Sequence, residues 1–513
     1  MKNRLLLGLV LLFSSISFAQ SIKFKITGVP DTTVNLVKYY GKGLYFADTA
    51  NIKGGMVTFD GSKQKPGILA LFLPGQAMLE FILSGEEDIY IEADRADLIG
   101  SMKVKKSEEN KVFSAYIQYL GTQKQLANSI VEERKEFTDT ESEEYKQKTK
   151  EIVAVSDRVL QYQNELIANN KNKLVGKIVN MSMDADIPDA PKDENGVVTD
   201  SNFQYNYYRS HYFDKIDLKD DRLVNTSIFH KKLETYFGKT MMVQHWDTII
   251  KYAYDFIDRL DPKSEMFKYS VIYVTTTYQK STIMGMDKVY VMMADKYFCT
   301  KNAEGESMAF WMTEPKLEEL CEKIPAMKNT VLGIIPPNIA LRDTTDAIWK
   351  DFYSLKSEYT ILYFWDPECG HCKKSTPKLE VLYKEKLKER NVEIFAVGKA
   401  IGEDFDKWKA FIKKNELTFI NVGLTETLYK AAMTDARMFV PKYTTLEALN
   451  YATTYDIFST PRIFVLDKDK KIIAKQLSIS QLEDLLDRLQ DKADLPKLFQ
   501  PDPEEEEDAN ETN

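Results

Sequence analysis

Cys369 and Cys372 are the residues best suited to chemistry in this chain, and their surroundings say which chemistry. They fall in the stretch Tyr363-Phe364-Trp365-Asp366-Pro367-Glu368-Cys369-Gly370-His371-Cys372-Lys373-Lys374-Ser375-Thr376-Pro377. The apolar run from Ile361 to Trp365 reads as a buried strand, and after Cys369 the spacing of Thr376, Leu379, Leu382 and Tyr383 turns helical. Both thiols therefore sit at a strand-to-helix junction, in the first helical turn. Unpaired amide N–H groups and the helix dipole favour an anion there, so the pKa of the first cysteine is expected to fall from about 8.5 toward about 7 or below. Cys369 is the expected nucleophile. Cys372, one turn further on, is the thiol that displaces whatever Cys369 captures. A zinc site needs four ligands, and no second C-x-x-C or paired histidines complete one, so no metal is expected. A permanent disulfide staple stays open as an alternative, although a pair at a helix start is labile.

The order strand, C-x-x-C, helix, with a proline five residues after the second cysteine, resembles the thioredoxin-like superfamily. The wording from Phe364 to Lys374 is most similar to the exported TlpA-like thiol-disulfide oxidoreductases of Bacteroidetes. Ser459-Thr460-Pro461-Arg462-Ile463-Phe464-Val465-Leu466-Asp467, about 90 residues later, is similar to the cis-proline strand of that family, which lies beside the cysteine pair. The resemblance implies a redox-active Cys369–Cys372 disulfide, protein thiols or disulfides as substrates together with an unidentified redox partner, and no cofactor. It also implies substrate docking by Trp365, Thr460 and Pro461. A cis Thr460–Pro461 bond would leave the Thr460 backbone groups free to pair with an extended substrate segment. The Gly370-His371 dipeptide is the one found in protein disulfide isomerases. A partly charged His371 stabilises the Cys369 thiolate, so the expected potential is nearer about −180 than about −270 mV. Two positions depart from the family pattern: Tyr363 stands where thioredoxins carry a buried aspartate, and Ser375 where TlpA-like reductases often carry a glutamate. Cys372 is then expected to lose its proton to water, His371 or another group, with slow or substrate-restricted turnover.

A length of 513 residues suggests about three domains of about 150 residues each. Residues 1–20 read as a secretory signal peptide: Lys2 and Arg4, an apolar run from Leu5 to Phe13, then small residues ending at Ser17-Phe18-Ala19. That run is too short for a membrane span, and nothing later reaches the roughly 18 apolar residues one needs. No cysteine follows the expected cleavage point, so a lipoprotein has little support and export to a periplasm is the expectation. The formal charge is −9, but seven acids lie between Pro501 and Asn513, leaving −2 for the rest. Nucleic acid and anionic lipid are therefore not expected partners. Four cysteines in so long a chain do not make a disulfide scaffold, and spacing does not say whether Cys299 and Cys321 pair.

Three folded parts are expected. Residues 21–105 alternate apolar and polar residues in short runs punctuated by glycine, proline and aspartate, which argues for an antiparallel β sandwich serving as spacer or as a binding module. Residues 106–325 are expected to form an all-α helical domain. Its stripe Ile152, Val155, Val159, Tyr162 and Leu166 marks a core face or a helix-pair seam, and residues 184–201 read as a loop. Further helices are expected at 203–213, 226–237, 245–260, 266–281, 286–298 and 306–324. The aromatics Tyr205, Tyr207, Tyr208, Tyr212 and Phe213 read as core ahead of a sugar or peptide groove, and His211, His230 and His245 as structural or surface residues. Residues 326–495 alternate strands and helices and fit a thioredoxin-like α/β sandwich with an insertion at 424–450; 496–513 form an acidic disordered tail. The alternative to an oxidoreductase is an envelope interaction protein that binds through its β-rich or helical part and keeps a slow redox domain.

Overall fold

The computed structural model describes residues 20–85 and 87–500. The expected signal peptide, apart from Gln20, and the acidic tail beyond Gln500 lie outside the described residues. The chain forms two compact units: residues up to Val243 with Asp258–Ser270, and Gln244–Ile257 with residues from Val271 onward.

The first unit begins with β1 Ser21–Thr27, β2 Thr32–Tyr40, β3 Gly43–Ile52, β4 Met56–Asp60, β5 Gly67–Leu73, β6 Ala77–Leu83, β7 Ile89–Asp94 and β8 Lys103–Lys106. These make two four-stranded sheets, β4-β1-β7-β8 and β3-β2-β5-β6. Pairing is antiparallel except between β1 and β7, which run parallel. The period of two decides the packing: Ile22, Phe24 and Ile26 of β1 are fully buried with Leu36, Leu69, Leu71 and Phe81 of the facing sheet. Each such side chain contributes about 1.5–3 kcal/mol on burial.

The middle of the chain is helical: α1 Glu108–Lys135, α2 Glu143–Asn169, α3 Leu174–Ser182, α4 Phe203–His211, α5 Ser227–Tyr236, α6 Trp246–Ile257, α7 Glu265–Gln279, α8 Asp287–Ala294 and α9 Glu314–Lys328. Ser107 caps α1 by accepting from the Asn110 N–H. Leu166 of α2 packs with Tyr116 of α1, which is the seam that the three-and-four spacing requires. Tyr212 and Phe213 are buried against Tyr236 and belong to the core, whereas Tyr205 is exposed. Two helix expectations need correction. The helix expected at 306–324 starts only at Glu314. Before it, the Asn302 side chain accepts from the Glu304 and Glu306 N–H groups, Gly305 takes φ +81°, and Lys301 bridges to Ser307. The helix expected at 286–298 is α8 followed by a wider π turn, 295–299. That turn ends at Cys299, which forms a disulfide with Cys321 of α9 across a Cα–Cα distance of 5.4 Å.

The C-terminal sheet contains β9 Ala340–Asp343, β10 Trp349–Asp351, β11 Tyr359–Trp365, β12 Val392–Gly398, β13 Ile420–Gly423, β14 Arg462–Leu466 and β15 Ile472–Lys475, in the order β10-β9-β13-β12-β11-β14-β15. Its helices are α10 Gly370–Leu382, α11 Asp404–Lys414, α12 Glu426–Asp435, α13 Leu446–Leu449, α14 Tyr451–Thr454 and α15 Ile479–Leu489. β11 lies inside the sheet, parallel to β12 and antiparallel to β14, and is apolar on both faces because both are covered. Ile361, Tyr363 and Trp365 share one core with Cys372, Leu379 and Leu382 of α10 and Leu482 of α15. Leu362 and Phe364 face the other, with Leu428, Leu449 and Tyr455 from the inserted helices. Residues 496–500, assigned by composition to the tail, are held: the Leu498 and Phe499 N–H groups donate to the buried Glu483 carboxylate, and Phe499 packs on the core. Among the described residues no helix is long and apolar enough to cross a membrane.

Candidate functional site

β11 delivers the chain to the site and α10 begins it. After Trp365 the chain turns through Asp366-Pro367-Glu368. The Asp366 carboxylate accepts from the Glu368 N–H at 2.7 Å, and the Asp366 carbonyl from the Cys369 N–H at 3.1 Å. Cys369 thereby becomes the N-cap of α10, with φ −68° and ψ 127°. Cys369 is half-buried, Cys372 is buried, and both are free thiols.

The second wall comes from β14. Phe364 of β11 pairs with Arg462, so the residues just before β14 arrive beside the start of α10. The Thr460–Pro461 bond is cis. The Cys369 thiol donates to the Thr460 carbonyl oxygen at 3.2 Å.

The two thiols are tuned apart. Burial pushes the Cys369 pKa up, but hydrogen bonds from the Cys372 N–H, the Thr460 side chain, the Cys372 thiol and the His371 N–H outweigh it and leave it below the usual thiol value. The Thr460 contacts pull in opposite directions, since its carbonyl holds the thiol proton while its side chain supports the anion. Together with the amides the balance favours the anion. Burial pushes Cys372 up to about 11 against hydrogen bonds from the Asp366 backbone and the Thr460 side chain, and the neighbouring Cys369 adds to the rise. An activated outer thiol and a protonated inner one are what sequential disulfide exchange uses.

Four of the residues singled out from sequence converge here: Cys369, Cys372, Thr460 and Pro461. His371 is in the first turn with its side chain exposed; what it gives the Cys369 sulfur is its main-chain N–H. Trp365 is corrected. It is 1% exposed, on the same pleat face as Ile361 and Tyr363, and its ring packs against Phe411 at 5.2 Å, so it offers no surface to a substrate. Phe458 was not anticipated: it is 78% exposed, two residues before Thr460. An aromatic residue directly ahead of Ser459-Thr460-Pro461 was the available signal. Tyr363 is fully buried, with its hydroxyl 2.7 Å from Thr376 Oγ1 and 3.2 Å from Ser375 Oγ.

Residues 357–472 match the family described as Thioredoxin-like, and residues 21–113 match a domain of unknown function. Among solved structures, the chain is similar to a domain of a possible thiol-disulfide isomerase from Cytophaga hutchinsonii, at 30% identity over 32% of this chain and 96% of that one, with a TM-score of 0.25. It is also similar to a thioredoxin-like protein from Bacteroides caccae, at 16% identity over 59% of this chain and 97% of that one, TM-score 0.37. A third is StoA from Bacillus subtilis, at 19% identity over 30% of this chain and 98% of that one, TM-score 0.22. A search of curated proteins returns no match.

Proposed function

From the premise that residues 357–472 belong to the thioredoxin-like family, we propose that this chain is a periplasmic thiol-disulfide oxidoreductase acting on protein substrates through Cys369 and Cys372. The observation that carries the reading is the pairing of an N-cap cysteine whose anion is favoured with a buried thiol one turn along the same helix. In the reducing direction, the Cys369 thiolate attacks one sulfur of a substrate disulfide, and the other substrate sulfur leaves as a thiolate and takes a proton. Cys372 then loses its proton and attacks Cys369. The substrate is released as a dithiol and the Cys369–Cys372 disulfide forms. The reverse sequence oxidises a substrate dithiol. Export to the periplasm rests on the amino-terminal pattern of Lys2, Arg4 and the short apolar run that follows.

Insulin reduction tests the reading. The unmodified protein should reduce insulin at the expense of a dithiol, Cys369→Ser should abolish this, and Cys372→Ser should accumulate a mixed disulfide with substrate. An unmodified protein no faster than the dithiol alone would refute the assignment.

A further inference from the structure

The acids that would accept a proton from Cys372 in the resembled family are absent, and a chain of hydroxyls occupies their positions. Tyr363 is completely buried in the core that holds Cys372. Its hydroxyl meets Ser375 and Thr376, which are three and four residues after Cys372 and so share its face of α10. Helical side chains lean toward the N-terminus, which directs both toward the turn that carries Cys372.

The donor sense of the chain follows from counting protons. Ser375 has one hydroxyl proton and donates it to the His371 carbonyl oxygen at 3.0 Å. Toward Tyr363 it can therefore only accept, so the phenolic proton points to Ser375. The Thr376 hydroxyl, at 2.7 Å, then donates to the phenolic oxygen. The order Thr376, Tyr363, Ser375, His371 carbonyl is one chain of donors, each polarising the next.

We propose that Tyr363 is a catalytic hydrogen-bond donor to Cys372: its phenolic O–H, held at rest by Ser375, turns to the Cys372 sulfur as that sulfur becomes an anion. The assignment rests on the disulfide-exchange reading above. Tyr363 is a donor and not a base, since burial first, and then the Cys372 charge, push its own pKa up and keep it protonated. In the step it serves, the Cys372 proton goes to water, a Cys372–Cys369 bond forms, and the Cys369–substrate bond breaks. The substrate sulfur leaves as a thiolate and takes up a proton, so the captured sulfur is reduced and the cysteine pair oxidised.

The test is a titration of Cys372 by the pH dependence of its alkylation rate, read by peptide mass mapping, in a Cys369→Ser background, which removes the other titrating thiol of the pair. Adding Tyr363→Phe should make Cys372 about tenfold less acidic, because a hydrogen bond to a charged group is lost. Adding Ser375→Ala should make it more acidic, because the competing acceptor is gone; alanine at this helical position also keeps the fold if the core substitution does not. With Cys369 restored, Tyr363→Phe should slow resolution of a mixed disulfide about tenfold and leave its formation within about twofold. Shifts of opposite sign would not arise from a merely structural role. An unchanged or lower Cys372 pKa in Tyr363→Phe, or an unchanged or higher one in Ser375→Ala, overturns the proposal. Insulin reduction by the unmodified protein is read alongside: its absence sinks the exchange reading, whereas unshifted titrations in an active protein sink the Tyr363 assignment alone.

Discussion

The Cys369 thiol and the Thr460 carbonyl oxygen lie 3.2 Å apart across 91 residues of sequence. The antiparallel register of β11 with β14, Phe364 opposite Arg462, sets that approach, and the amides of α10 decide the charge of the sulfur once it is there.

Alkylation should separate the two thiols. The Cys369 pKa is lowered, so raising the pH produces its anion before that of an ordinary thiol, while Cys372 stays protonated until about 11. Iodoacetamide at neutral pH is expected to label Cys369 and spare Cys372. Peptide mass mapping across pH checks this, and equal labelling of both would contradict the geometry.

A stabilised Cys369 thiolate stabilises the dithiol form and raises the potential. Equilibration with glutathione is expected to give a value nearer about −180 than about −270 mV. A result more reducing than thioredoxin would show that the first-turn amides do not set the poise.

Trp365→Ala should act on stability. The ring is 1% exposed in a packed core, so its removal is expected to cost about 3–5 kcal/mol in urea unfolding. A loss below about 1 kcal/mol would return Trp365 to the surface role that the resemblance implied.

Phe458→Ala should do the reverse. With 78% of the residue exposed, stability is expected to stay within about 0.5 kcal/mol. A substrate segment laid along Thr460 would lose one apolar contact, raising KM for a protein substrate roughly 5–30-fold with kcat unchanged. An unaltered KM would exclude this ring from the docking surface.

What was legible in the sequence depended on whether a local pattern and its tertiary setting agreed. β11, α10 and β14 announced themselves because Ile361 to Trp365 is apolar on both faces and the helical period begins after Cys369. β3 did not, because Leu44, Tyr45 and Phe46 are exposed in succession on an edge strand, which breaks the alternation that marks a half-buried strand. β10 is three residues long and carries no period at all. The role of Trp365 was readable: two residues after Tyr363 and four after Ile361, it had to share their pleat face. The hydroxyl chain was not, because Tyr363 and Ser375 register only as departures from an acidic pattern until the fold brings them within hydrogen-bond reach.

The Cys299–Cys321 bridge bears on how the protein is handled. It closes a 22-residue loop, a constraint of about 3 kcal/mol. Material made where glutathione keeps sulfur reduced lacks it and carries four thiols, counted in denaturant; material matured in an oxidising compartment and then mildly reduced carries two. A sulfhydryl titre taken before any assay therefore distinguishes a redox defect from a maturation defect.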